Sequence, residues 1–141
     1  MRMERVELTA VGHEHVRATH ASTLELTRDD WLTPAGDCIV GIEADLAPAG
    51  FPPEFVDRCR DEDARVTMTL RSGGLLERVR GRGHPDLTFA NDRSMVVRTS
   101  SFVDDRTVMV NADAAAGDLD RALVRRLQGA APLRVTITAT R

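Results

Sequence analysis

Leu32-Thr-Pro-Ala-Gly-Asp-Cys-Ile-Val-Gly-Ile-Glu-Ala-Asp45 decides the fold, because the chain presents a second version of it. The turn signal Thr33-Pro34-Ala35-Gly36-Asp37 feeds a strand-like run from Cys38 to Ile42, which stops at Ala44-Asp45. Farther along, Asp104-Asp105 feeds Arg106-Thr107-Val108-Met109-Val110, which stops at Ala112-Asp113. Outward from this pair, Gly12-His13 matches Gly83-His84 and Trp31 matches Phe102. Arg65-Val-Thr-Met-Thr69 matches Arg134-Val-Thr-Ile-Thr138. The matches keep one order, and their offsets drift only by a few loop residues. The chain is therefore read as one β-rich α+β domain, residues 1–141, built from two β-β-β-α-β repeats, 1–71 and 72–141, about a pseudo-twofold axis.

Periodicity supplies the elements. Val6, Leu8 and Ala10 alternate with Glu7 and Thr9, the period-2 pattern of a half-buried strand. Continued alternation from Val16 to Leu26 predicts a second strand with His20 on its more apolar face. Strands are expected over Cys38–Ala44, Ala64–Arg71, Leu75–Arg82, around Met95-Val96-Val97, over Arg106–Ala112 and over Leu133–Thr140. A helix is expected over Pro53–Arg60, where proline suits the first turn. Another starts near Gly117-Asp118 and carries Leu119, Leu123 and Leu127 on one face. Ser72-Gly73-Gly74-Leu75 reads as a two-residue hairpin turn that joins the halves in one sheet or barrel. Glycine-aspartate turns before a strand, in a duplicated setting, also resemble those of double-psi and related cradle-loop barrels.

Composition narrows the function classes. All 19 basic residues are arginine, and the formal charge is −3, so the chain as a whole does not attract nucleic acid and any such binding needs a local basic patch. No apolar run approaches the roughly 20 residues of a membrane helix, and the N-terminus has no apolar stretch of signal-peptide type, so a cytoplasmic location is expected. Cys38 and Cys59 read as buried free thiols.

Two surfaces could carry function. A two-residue turn at Gly73-Gly74 places Thr69 opposite Arg78, Thr67 opposite Arg80 and Arg65 opposite Arg82. Arg65, Arg78, Arg80 and Arg82 then share one face, spread over a length comparable with successive backbone phosphates. No aromatic interleaves them, which argues against base stacking. The competing candidates are His13, His20, Glu25, Asp37 and His84, a set able to serve as general bases or ligands in a small-molecule or metal-dependent enzyme. No spacing among them matches a zinc signature, and no metal or cofactor is expected. The plainer reading has His13 and His84 bonded to backbone at equivalent turns, with Gly12 and Gly83 supplying an unusual backbone angle. Trp31 and Phe102 are expected in the core, or else at a homodimer contact.

The whole chain resembles an archaeal family catalogued as domain of unknown function 371. The resemblance is carried by Gly12-His13, His20-Ala-Ser-Thr-Leu-Glu-Leu-Thr27, Leu32-Thr-Pro-Ala-Gly-Asp-Cys-Ile-Val-Gly41, Ala44-Asp45, Gly83-His84-Pro85, Arg98-Thr-Ser-Ser-Phe102 and Arg106-Thr107. It implies an archaeal cytoplasmic protein and no particular activity. Glu14 and His15 stand where the family pattern suggests proline and asparagine, which argues against a site role for His15. The leading expectation is a non-enzymatic module that binds nucleic acid or a ribonucleoprotein through the four arginines.

Overall fold

Alternation of apolar and polar residues builds the first of two sheets. A computed structural model describes residues 3–141. In it the two copies of the Arg-Val-Thr-x-Thr motif lie side by side, in β4 (Arg65–Ser72) and β8 (Pro132–Thr140). They pair antiparallel, with Met68 opposite Ile137, Thr67 opposite Thr138 and Thr69 opposite Thr136. β1 (Glu4–Val11) flanks β8 and β5 (Leu75–Arg82) flanks β4, giving the order β1-β8-β4-β5. Val66, Met68, Leu70, Val135 and Ile137 point inward and are fully buried, each contributing about 1.5–3 kcal/mol from burial.

The hairpin has the expected register, Ser72 opposite Leu75 through Arg65 opposite Arg82. Its turn differs in detail: Gly73 alone is left-handed, at φ +60°, the pattern of a type II′ turn with glycine in the first central position. The tip is pinned from elsewhere, because Arg126 Nε donates to Ser72 Oγ (2.9 Å), which donates to the Pro132 carbonyl (2.6 Å).

The second sheet runs β3 (Ile39–Gly41), β2 (Thr23–Thr27), β6 (Ser94–Arg98), β7 (Thr107–Met109). β2 and β6 pair antiparallel at its centre, and each outer strand is parallel to its neighbour. Three of the four strands predicted here are longer than those formed. Only Thr23 onward joins the sheet from the alternating run Val16–Leu26, because the His20 ring accepts the amides of Ser22 and Thr23 (both 3.1 Å) and holds the preceding segment as a turn. The expected strands Cys38–Ala44 and Arg106–Ala112 are cut short by left-handed residues, Glu43 at φ 53° and Asn111 at φ 52°. Beyond β3 and β7 the backbone bonds instead to the edges of the first sheet: Ile42 N to Val11 O (2.8 Å) and Asp45 N to Thr9 O (3.0 Å), Val110 N to Arg82 O (3.0 Å) and Asp113 N to Arg80 O (2.8 Å). Asp45 Oδ1 and Asp113 Oδ1 accept the amides of Thr9 and Arg80 in return, both at 2.9 Å. These hooks occupy backbone groups along both edge strands that would otherwise template aggregation.

Two short helices cover the core. α1 spans Pro53–Cys59, close to the predicted range. α2 spans Arg121–Gln128, later than expected, since Asp118 closes a 3-10 turn at Ala116–Asp118 and Asp120 is the residue that caps the helix by accepting from Ala122 N. Gly12 and Gly83 seat the helices by close approach and not by an unusual angle. A β-carbon on Gly12 would meet the Leu127 carbonyl oxygen, and one on Gly83 that of Cys59, while neither residue has a positive φ. One hydrophobic cluster runs from Val6 to Ala139. Trp31 and Phe102 lie outside it, 60% and 58% exposed, contrary to a core role; the Arg98 guanidinium sits 4.8 Å above the Phe102 ring.

Candidate nucleic-acid interface

Period 2 sends every second residue of the first sheet outward, and the pairing turns those residues into rows. One row is Arg5, Thr138, Thr67, Arg80; the next is Glu7, Thr136, Thr69, Arg78. Beyond them lie Thr9, Arg134, Arg71 and Leu76 on one side, and Thr140, Arg65 and Arg82 on the other. Arg65, Arg78, Arg80 and Arg82 are thus exposed on one face, in the register predicted. The face also gathers Arg5, Arg71 and Arg134, and Thr136 and Thr138 join the expected Thr67 and Thr69 in a floor of four half-buried threonines. The signal that would have found them is the repeated Arg-Val-Thr-x-Thr motif, once its copies are known to be neighbours.

Charge on this face is unbalanced. Seven arginines stand against Glu7, which reaches Arg5 at 3.8 Å, and Asp113 at the edge, which lines a concavity with Arg65, Arg80 and Arg82 and accepts the Arg80 amide. Among the described residues, Arg65, Arg71, Arg78, Arg80, Arg82 and Arg134 have no side-chain ion pair or hydrogen bond. Arg71 lies directly opposite Arg134, and Arg65 directly opposite Arg82, placements that cost stability when like charges face each other. An open concavity of about 510 Å³ occupies the middle, lined by the threonines with Arg5, Glu7, Arg71, Arg78 and Arg80.

The other candidates are dispersed into local structure. His13 Nδ1 accepts the amide of His15, and His84 Nδ1 that of Asp86, both at 3.0 Å. His84 N donates to the carbonyl of Cys59. His20 is held by Ser22 and Thr23, and Asp37 meets it only through backbone, its carbonyl accepting from Thr19 N and His20 N. Among the described residues no group of three or more His, Cys, Asp or Glu is placed to hold a metal ion.

Glu25 is the exception, since it sits in a mostly buried polar cluster on the outer side of the second sheet. Cys38 Sγ donates to it at 3.6 Å, and Arg106 Nη1 approaches it at 3.6 Å. Arg98, 9% exposed, bonds Thr107 Oγ1 and the Asp104 carboxylate, both at 2.9 Å. Burial raises Asp104, but hydrogen bonds from Thr107, Arg98 and the Arg106 amide outweigh it and leave its carboxyl below the ordinary range. Burial, reinforced by Glu25, pushes the Cys38 thiol up to about 11, and burial alone takes Cys59 to about 12. Both are therefore protonated and unreactive near neutrality.

Burial likewise raises Glu25, against the pull of Arg106 and the Cys38 thiol. A raised carboxyl binds its proton more tightly in the folded chain. Its contribution to stability is complete below the ordinary value of 4.5 and is lost as pH rises through the folded-state value. Glu25→Gln is expected to abolish that decline, so that melting temperature between pH 4.5 and about pH 7 falls less steeply than in wild type. Parallel slopes for the two proteins would contradict it.

The family model described as "Domain of unknown function (DUF371)" matches residues 8–140. An uncharacterized protein of Methanocaldococcus jannaschii is 38% identical over 121 residues, covering 86% of this chain and 89% of that protein. Among the described residues no helix is long and apolar enough to cross a membrane.

Proposed function

The chain belongs to the Domain of unknown function (DUF371) family, and since that name assigns no activity, we propose from its surfaces that it is a non-enzymatic cytoplasmic module binding nucleic acid or a ribonucleoprotein through the outer face of its first sheet. The observation that carries this reading is the set of six arginines without acidic partners, two pairs of them directly opposed, on a chain whose overall charge is −3. An arrangement that costs the folded state repulsion, and is not neutralised from within, is what an anionic partner would relieve. Arginine forks suit phosphate oxygens, and threonine hydroxyls add hydrogen bonds to phosphate and sugar.

The scaffold is read as an internal duplication. Left-handed backbone recurs at Ala18 and Phe89 and at Glu43 and Asn111. The bridges Val11–Ile42 and Arg82–Val110 correspond, as do the aspartate hooks Asp45 and Asp113, and both sheet orders are unchanged when the halves are exchanged. Those two bridges link the sheets edge to edge, which favours a closed barrel.

The binding reading is tested by fluorescence anisotropy with labelled RNA across a salt series. Log affinity is expected to fall linearly with log salt, by about 0.7–0.9 per phosphate neutralised. Salt-insensitive binding, or none at low salt, would overturn it.

A further inference from the structure

We propose that the arginine-threonine face takes an A-form RNA duplex in preference to single-stranded RNA or a B-form DNA duplex, an inference that rests on the nucleic-acid reading above. Width is the first reason. β1 and β5 are separated by three inter-strand spacings, about 14 Å at roughly 4.8 Å each. The major groove of B-DNA is about 12 Å wide and admits a helix or a two-stranded ribbon. A four-stranded face does not enter it and must lie across a shallow surface, which in A-form RNA is the wide minor groove bordered by the two backbones.

The distribution of groups matches such a surface. Arg5, 3.8 Å from Glu7, stands on one lateral strand and Arg78, Arg80 and Arg82 on the other, with the threonine floor between and Arg65, Arg71 and Arg134 at its two ends on the central strands. A single strand offers one line of phosphates, whereas a duplex offers two lines separated by a groove. No aromatic residue lies among the outward residues of this face, so the stacking platform that single-strand binders use is missing. Thr67, Thr69, Thr136 and Thr138 each present a hydroxyl that can both donate and accept. The same is true of the 2′-hydroxyl, which lines the A-form minor groove and is absent from DNA. Glu7, beside the floor, can only accept; it disfavours a phosphate there and suits a hydroxyl donor.

Symmetry points the same way. β4 and β8 run antiparallel with Met68 opposite Ile137, so the four threonines are related by a local twofold through that pair. Antiparallel duplex strands are related by dyads of the same kind, and aligning the two lets one motif copy face each strand.

The test compares full-length protein binding to three labelled probes of one sequence at a single salt concentration: an RNA duplex of about 20 base pairs, the single RNA strand, and the DNA duplex. The RNA duplex is expected to bind at least about tenfold more tightly than either of the others. Replacing Thr67, Thr69, Thr136 and Thr138 by valine, close in shape and suited to strands, is expected to lower RNA-duplex affinity to that of the DNA duplex and leave DNA binding and melting temperature unchanged. Equal or tighter binding of the single strand, or a valine variant that keeps its preference for duplex RNA, overturns this inference and leaves the broader reading standing. Failure to bind any of the three probes overturns both.

Discussion

Replacing Arg65, Arg78, Arg80 and Arg82 together by serine is expected to abolish RNA binding near physiological salt while the chain folds normally. Each arginine that neutralises a phosphate releases a counterion, so removing four should flatten the log-log salt dependence by about 3 units. For the unsubstituted protein, with six unpaired arginines and Arg5 on the face, affinity should drop about 10³-fold between about 50 and 200 mM salt. Little stability should be lost. All four side chains are exposed and, among the described residues, without ion pairs, and removing Arg65 and Arg82 relieves a like-charge pair placed directly opposite in register. The unfolding free energy should therefore move by less than about 1 kcal/mol. An unchanged affinity in a folded variant would remove the arginine face from any account of function.

Gly12→Ala is expected to be among the most damaging single substitutions in the chain, and Gly83→Ala its counterpart. An added β-carbon would lie 1.9 Å from the Leu127 carbonyl oxygen in the first case and 2.1 Å from the Cys59 carbonyl oxygen in the second. Both obstacles are backbone at the end of a helix, so the clash is relieved only by moving α2 or α1 off the core. Overpacking against a side chain costs about 1–3 kcal/mol, and against backbone about 3 kcal/mol or more. Thermal melting should fall by roughly 10 °C. Gly74→Ala serves as the control, because nothing lies within 4 Å of its added carbon and a φ that is not positive lets alanine gain about 0.4–1 kcal/mol. Equal melting temperatures for the three variants would show that the helix seats are softer than their geometry.

What the sequence alone determines is short in range. A two-residue glycine turn admits one register, so the pairing of Arg65 with Arg82 and the sharing of a face by four arginines followed from Ser72-Gly-Gly-Leu75 alone. Period-2 alternation likewise identified the long strands, because their inner residues are buried on one side only. The same rule failed from Val16 to His20, where side-chain bonds from His20 to nearby amides compete with the ladder. It failed again past Gly41 and Met109, where the backbone found partners in the first sheet.

Which strands are neighbours is set by contacts between residues far apart in the chain, and no local pattern encodes it. Only the tertiary structure inserts β8 between β1 and β4, bringing Arg5, Arg134, Thr136 and Thr138 onto the predicted arginine face. It also disperses His13, His20 and His84, whose shared chemistry had suggested a pocket, because each ring is taken up by the amides of its own turn. Sequence by itself determined the long strands, the hairpin register and the charge of one strand pair, all properties of a few adjacent residues. The tertiary structure decided the breadth of the surface and the fate of the histidines, since both depend on which distant segments the buried core draws together.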